Sequence, residues 1–263
     1  MEKTRQSSII ILNFLAIFFC LYFFLANSFA SQALRSLSSE RPSKSESPYT
    51  VNKNRFLFES SLLSLTKNDN SKRTSYLDIS SFRYGLNDDY ELQLMANPIV
   101  EFSKNGANQR AYGESFLRFK KNIYGNDGGS HALAITGFVL VNKSPKNLLN
   151  TNLRSGLIAP FLFKINKNFD FGGMVQLNHY KNQRNNYFGF INSYYLSTNI
   201  TSKISSYLEF YSLKSNKKLL QNYLDFGVNY LLYPDLKFDF GLNRGVSKDA
   251  DKINYFVGFA KIW

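Results

Sequence analysis

From residue 55 onward, apolar residues recur at every second position in short runs. Leu236, Phe238, Phe240 and Leu242 alternate with Lys237, Asp239, Gly241 and Asn243, and just upstream Leu224, Phe226, Val228, Tyr230 and Leu232 oppose Asp225, Gly227 and Asn229. A period of two marks a β-strand with one apolar and one polar face. Twelve such segments can be marked, at about 55–65, 74–85, 90–101, 113–123, 131–141, 155–165, 169–180, 187–198, 202–213, 220–232, 236–244 and 253–263. Each is bounded by turn residues. In the second, TSYLDISSFRYG, the apolar parity switches between Leu77 and Ile79 on one side and Phe82 and Tyr84 on the other, which predicts a bulge.

The links between segments alternate in length. Asn87-Asp88-Asp89, Asn166-Lys167-Asn168 and Tyr233-Pro234-Asp235 are short, whereas 102–112, 142–154 and 245–252 are longer; YGNDGGS at 124–130 exceeds its class. Short periplasmic turns and longer extracellular loops are the habit of outer-membrane barrels, and a β-sandwich has no reason to alternate. The longest apolar run after residue 54, at 132–141, is about half a helical span and the length of a tilted transmembrane strand. Strands in lipid cannot leave an open edge, so they must close. The expected fold is all-β: a closed antiparallel transmembrane β-barrel of about 12 strands at 55–263, with its apolar parity toward lipid.

The chain before residue 55 reads differently. Lys3 and Arg5 precede a nearly unbroken apolar stretch at 9–26, and Ser28-Phe29-Ala30 offers small residues where a signal peptidase reads. Residues 1–30 are therefore expected to be a signal peptide, with an uncleaved anchor as the alternative. Cys20 lies inside this stretch and follows the bulky Phe19, so a lipoprotein signal is excluded and the exported chain carries no cysteine for disulfides or thiolate metal sites. No metal or cofactor is implied. Residues 31–54 are rich in Ser, Lys and Glu without periodicity, which predicts a disordered periplasmic leader; a plug or a docking segment is the alternative.

If the apolar parity faces lipid, the lumen receives Glu91, Gln93, Arg118, Lys120, Lys164, Asp170, Glu209, Asp225, Asn229, Lys237 and Asp239. Their mixed signs suit cross-strand pairing that makes a polar interior tolerable, or a charged eyelet that selects a solute. About twelve strands lie between filled and water-conducting barrels, so a narrow pore fits. The net charge is +13, and the longer links hold much of it, in Lys67, Lys72, Arg73, Lys143, Lys146, Arg154, Lys214, Lys217 and Lys218. Such a rim suits lipopolysaccharide phosphates and attracts anions. Positives spread over loops without stacking aromatics exclude a nucleic-acid interface.

The 25 Phe and 17 Tyr include Phe56, Phe58, Tyr84, Tyr90, Tyr187, Tyr230 and Tyr233 at strand ends, where interfacial girdles form. A stacking slide for an aromatic solute is the sharper alternative. Catalysis finds little support: the two histidines are His131 and His179, neighbours in a strand such as Ser130 and His131 should point to opposite faces, and no G-x-S-x-G, H-E-x-x-H or P-loop pattern occurs.

Arg83-Tyr84-Gly85-Leu86 with Asp89-Tyr90-Glu91-Leu92, Ala134-Ile135-Thr136-Gly137, Asp225-Phe226-Gly227-Val228-Asn229-Tyr230-Leu231 and Pro234-Asp235-Leu236-Lys237-Phe238-Asp239 give the chain a likeness. It resembles the outer-membrane transporter family named for the meta-pathway of phenol degradation, while being richer in Asn and Lys and poorer in Gly. The resemblance implies passage of hydrophobic or aromatic compounds. In proteins this chain resembles, a last strand with one apolar parity ending on an aromatic residue is read by the barrel-insertion machinery. Tyr255, Val257, Phe259 and Trp263 fit that signal, interrupted at Lys261. The expectation is an outer-membrane channel for small molecules in a Gram-negative-type bacterium. A non-conducting surface adhesin or structural barrel and a lipid hydrolase are the alternatives, and the sequence sets no oligomeric state.

Overall fold

The computed structural model describes residues 35–263 except 69–70, 105–106, 143–152, 182–185 and 216–217. The expected signal peptide and the rim lysines Lys143, Lys146 and Lys217 lie outside the described residues. The strands are β1 (Phe56–Lys67), β2 (Ser71–Gly85), β3 (Tyr90–Ala96), β4 (Ile99–Lys104), β5 (Ala107–Ala111), β6 (Ser115–Tyr124) and β7 (His131–Asn142). They continue with β8 (Leu153–Lys164), β9 (Phe169–Lys181), β10 (Asn186–Asn199), β11 (Ile204–Ser215), β12 (Lys218–Tyr233), β13 (Leu236–Gly245) and β14 (Ile253–Ile262).

β1 pairs antiparallel with β2 on one edge and with β14 on the other. The ring runs β1, β2, β3, β6 and on through β14, a closed barrel of twelve staves. Closure is sealed where Trp263 N–H donates to Phe56 O at 2.9 Å and Phe56 N–H to Trp263 O at 3.3 Å. Among the described residues no helix is long and apolar enough to cross a membrane.

The period of two decides the faces. Outward positions such as Leu94, Leu117, Phe190, Leu208, Phe226 and Phe240 are exposed, while inward Arg83, Glu91, Gln93 and Lys120 are each 0 % exposed. This inversion of a soluble core is what a lipid solvent selects. On the outer face near the periplasmic end, Phe58 packs on Phe82 at 4.5 Å and on Phe259 at 5.6 Å, and Phe56 on Tyr84 at 4.5 Å.

The parity switch in β2 is a real irregularity. Glu59 pairs with Ser81 but Ser61 with Asp78, so the register slips there, and Leu77 and Ile79 take φ of 51° and 48°. The same height is broken in the next two staves. Asn97-Pro98 separates β3 from β4, because proline offers no ladder donor, and 112–114 separates β5 from β6. Asn97 joins the breaks: its Oδ1 accepts from Ile79 N–H at 3.2 Å, and its carbonyl accepts from Gly113 N–H at 2.7 Å. Beyond this level β4 and β5 form a hairpin borne on β2.

Two expectations need correction. The long link expected at 102–112 is largely strand, and β1 and β2 are separated only by 68–70, so the alternation in loop length is weak. The strands continue past the apolar belt with polar residues, where their backbone hydrogen bonds still form. The leader expected to be disordered is ordered from Arg35 and has buried Ser45, Pro48, Thr50 and Val51. Its partners explain why.

Candidate functional site

Residues 35–55 enter the barrel at the periplasmic mouth, rise to mid-height and return to start β1. They form no regular ladder, so their backbone groups need other partners. The wall supplies them as carboxylates. Glu40 N–H donates to Glu59 Oε2 at 2.9 Å, Lys44 N–H to Glu209 Oε2 at 2.6 Å, Ser45 N–H to Glu209 Oε1 at 2.8 Å and Val51 N–H to Glu91 Oε2 at 2.6 Å. Wall donors meet the segment's carbonyls in turn: Lys120 Nζ reaches Ser47 O at 2.9 Å, Asn122 Nδ2 reaches Pro48 O at 2.9 Å and Lys237 Nζ reaches Arg41 O at 2.9 Å. At the mouth Thr50 Oγ1 donates to Asp88 O at 2.6 Å, and Leu37 and Val51 pack with Leu57, Ala260 and Ile262.

Ion pairs lock this arrangement. Arg83 Nε and Nη2 hold both oxygens of Glu91, at 2.8 and 2.9 Å, and the same guanidinium lies 3.5 Å from Glu59 and 3.3 Å from Glu40. Lys120 pairs with Glu40, and Arg118 with Glu46. Across the interior, Arg41 grips Asp239 at 2.7 and 3.2 Å, donates to Ser61 Oγ at 2.7 Å and lies 5.5 Å over the Phe256 ring. Burial alone would favour a neutral Glu40. The surrounding Lys120, Arg83 and Arg118 outweigh it and hold the carboxyl at about 2, below the ordinary 4.5.

Nearer the extracellular end, the inner wall of β6 to β11 is rich in apolar and aromatic side chains, among which stand Gln176, Asn178 and the Arg154–Glu114 ion pair. Ile158, Met174 and Ile191 form a buried cluster with Phe138 and Leu213 against it. Phe116 meets Phe138 edge-on at 5.9 Å, Tyr180 stacks on Tyr187 at 4.8 Å, and Tyr211 stacks on Tyr223 at 4.7 Å. Several inward rings lie flat along the wall because their cross-strand partner is glycine: a Cβ on Gly156 would come within 2.6 Å of Phe138, and one on Gly227 within 2.8 Å of the Tyr207 hydroxyl. Tyr207 then donates to Asp225 Oδ2 at 3.0 Å.

Of the residues singled out from sequence, Glu91, Arg118, Lys120, Glu209, Asp225 and Asp239 are buried inside the barrel, and Lys237 is half-buried there. Lys164 is placed differently. It is exposed at the periplasmic end, where Nζ reaches Gly128 O at 2.6 Å, and its register partner Asp170 is half-buried at the same level. Tyr255, Val257 and Phe259 share the outward face of β14. The segment's own Glu40, Arg41, Lys44 and Glu46 and the aromatic wall were not singled out. Ser130 and His131 also need correction: because Ser130 lies in a turn rather than a strand, its Oγ sits 2.7 Å from His131 Nδ1. The pair is exposed, and among the described residues no carboxylate orients it. Ser155 is the register partner of His179 on the outward face, with no hydrogen bond between them.

The profile of the family described as MetA-pathway of phenol degradation matches residues 39–260. The chain belongs to this family. The match begins inside the inserted segment and runs almost to the end of β14, so the segment and barrel belong to one family unit. Among solved structures, the barrel resembles the COG4313 outer membrane channel from Pseudomonas putida F1, with a TM-score of 0.66 at 10% identity, over 85% of this chain and 99% of that one. It also resembles the KdgM porin, with a TM-score of 0.51 at 8% identity, over 78% of this chain and 98% of that one. At such identities the likeness is one of fold, that of outer-membrane barrels. A search of curated proteins finds no match.

Proposed function

We propose that this member of the phenol-degradation family is an outer-membrane uptake channel for small hydrophobic or aromatic molecules, closed on its periplasmic side by residues 35–55. The observation that carries the reading is the division of the interior. An apolar and aromatic wall receives the solute from outside, and an ion-paired segment stands between that wall and the periplasm. Phe116, Phe138, Ile158, Ile191 and Leu213 hold the solute by apolar contact. Glu91, Arg118, Lys120, Glu209, Asp225, Lys237 and Asp239 line the path, and their chief work is to hold the segment; Lys164 and Asp170 border the exit. Tyr255, Val257, Phe259 and Trp263 serve barrel insertion. The channel reading assigns no role to the exposed Ser130–His131 pair.

The test is accumulation of a radiolabelled monoaromatic hydrocarbon by cells with a lipopolysaccharide outer leaflet. Cells carrying the protein should take it up several-fold faster than cells without it. Ile191→Asp, checked for folding by heat-modifiable migration, should return uptake to background, and Asp239→Ala, which frees Arg41, should raise it. Equal uptake in all four strains would sink the reading.

A further inference from the structure

The extracellular end of the outer face carries a row of cations. Register across four neighbouring strands aligns Arg244 of β13, Ile253 of β14, Lys67 of β1 and Lys72 of β2. One layer toward the periplasm the same alignment reads Leu242, Tyr255, Leu65 and Thr74, and the next reads Phe240, Val257, Leu63 and Tyr76. The cations therefore stand at the upper border of the apolar belt, where acyl chains give way to headgroups.

Arg244, Lys67 and Lys72 are exposed, and among the described residues none of them belongs to an ion pair. Lys67 and Lys72 face each other directly across the strands, a like-charge placement that is unfavourable unless an anion lies between. Beside them, Arg244, Val246, Lys248, Lys252 and Ile253 line a cavity of about 440 Å³. The loop that forms it is held at both ends: Val246 N–H donates to Asn222 O at 2.9 Å, and Lys252 N–H to Asn68 Oδ1 at 2.9 Å. Of the loop's carboxylates, Asp251 is engaged by Asn68 Nδ2 at 2.7 Å, and Asp249 is exposed outside the cavity lining.

We infer that this collar binds the phosphates of lipopolysaccharide in the outer leaflet. The inference rests on the outer-membrane placement of the barrel. Arginine and several lysines converging on one small region suit a phosphate ester, with the guanidinium offering paired donors and the ammonium groups point charges. Leu242 and Tyr255, one layer toward the periplasm, lie where the glycolipid's first acyl carbons run. A free phosphate would use the cations alone, whereas a lipid uses both layers.

The experiment measures lipopolysaccharide retained by the detergent-purified, folded barrel after gel filtration, together with its thermal midpoint. The triple variant Lys67→Gln, Lys72→Gln, Arg244→Gln should retain at least about tenfold less than the wild type. A control altered at the periplasmic end, Lys121→Gln with Lys203→Gln, should retain as much as the wild type. Dephosphorylated lipopolysaccharide should be retained no better than by the triple variant, and inorganic pyrophosphate alone should leave the midpoint unmoved. Undiminished retention by the triple variant overturns the assignment, as does a pyrophosphate effect equal to that of the lipid. If the triple variant does not fold, Lys72→Gln alone should lose about threefold. A wild-type barrel that does not float with vesicles would instead fail the membrane reading itself.

Discussion

Arg83 is a guanidinium with no exposed surface, held inside a barrel by three carboxylates from two wall strands and the inserted segment. A buried charge is tolerated when its donors are matched, and it becomes costly when one partner is removed. Glu91 is the partner that matters most, because it takes two of the guanidinium's hydrogen bonds and also accepts from Val51 N–H. Glu91→Gln keeps the shape and removes the charge, leaving Glu40 and Glu59 to compensate in part. The variant should lose about 3 kcal/mol of folding stability, read as a lower urea midpoint for the barrel in vesicles. Little of this pairing is legible in the chain. The alternation around Glu91 and Lys120 tells which way each side chain faces, since face is set by parity within one strand. It does not tell which distant carboxylate meets which cation: Arg41 and Asp239 meet although 198 positions separate them.

At the level of strands and turns, far more was written locally. Each strand carries its own period-two signal, and even the β2 irregularity shows as a shift of apolar parity between Ile79 and Phe82. The aromatic inner wall escaped the same reasoning, because an inward Tyr211 or Phe138 contributes an apolar residue to the parity expected to be polar. What accommodates these rings is the facing strand. Gly241 lies under Phe256, and a Cβ there would collide with the ring that Arg41 covers from the other side. Gly241→Val should push Phe256 into the interior, displace Arg41 from Asp239 and cost about 1–3 kcal/mol. The check is the same urea titration, and an unchanged midpoint would mean that the ring has room to move that the packing does not suggest.

For the molecule as a whole, the inserted segment occupies part of the barrel's interior, and its hold depends on charge. Glu40 has a pKa of about 2 when docked against an ordinary 4.5. A depressed carboxyl contributes its full share above the ordinary value and loses it as pH falls through the docked one. Glu40's share of the docking should therefore be full at neutral pH and at pH 5, and weaken from about 4.5 down to about 2. A spin label on Ser43→Cys should be immobile through the first range and mobile at the end of the second. Adding Glu40→Gln should loosen it at every pH. A label that stays immobile to the acid limit would show that other contacts suffice. The segment looked like a disordered leader because its composition has too little apolar surface to fold alone; its order is lent by the wall.

That dependence also fixes an order of events during biogenesis. The segment is made before any strand, yet its anchors are spread from Glu59 on β1 to Asp239 on β13, and the full set stands in place only once the last stave has met the first through Phe56 and Trp263. An unfinished barrel thus holds a lumen of carboxylates and cations that lack the partners residues 35–55 bring. A segment that precedes every strand in the chain is thus the last to find all its partners.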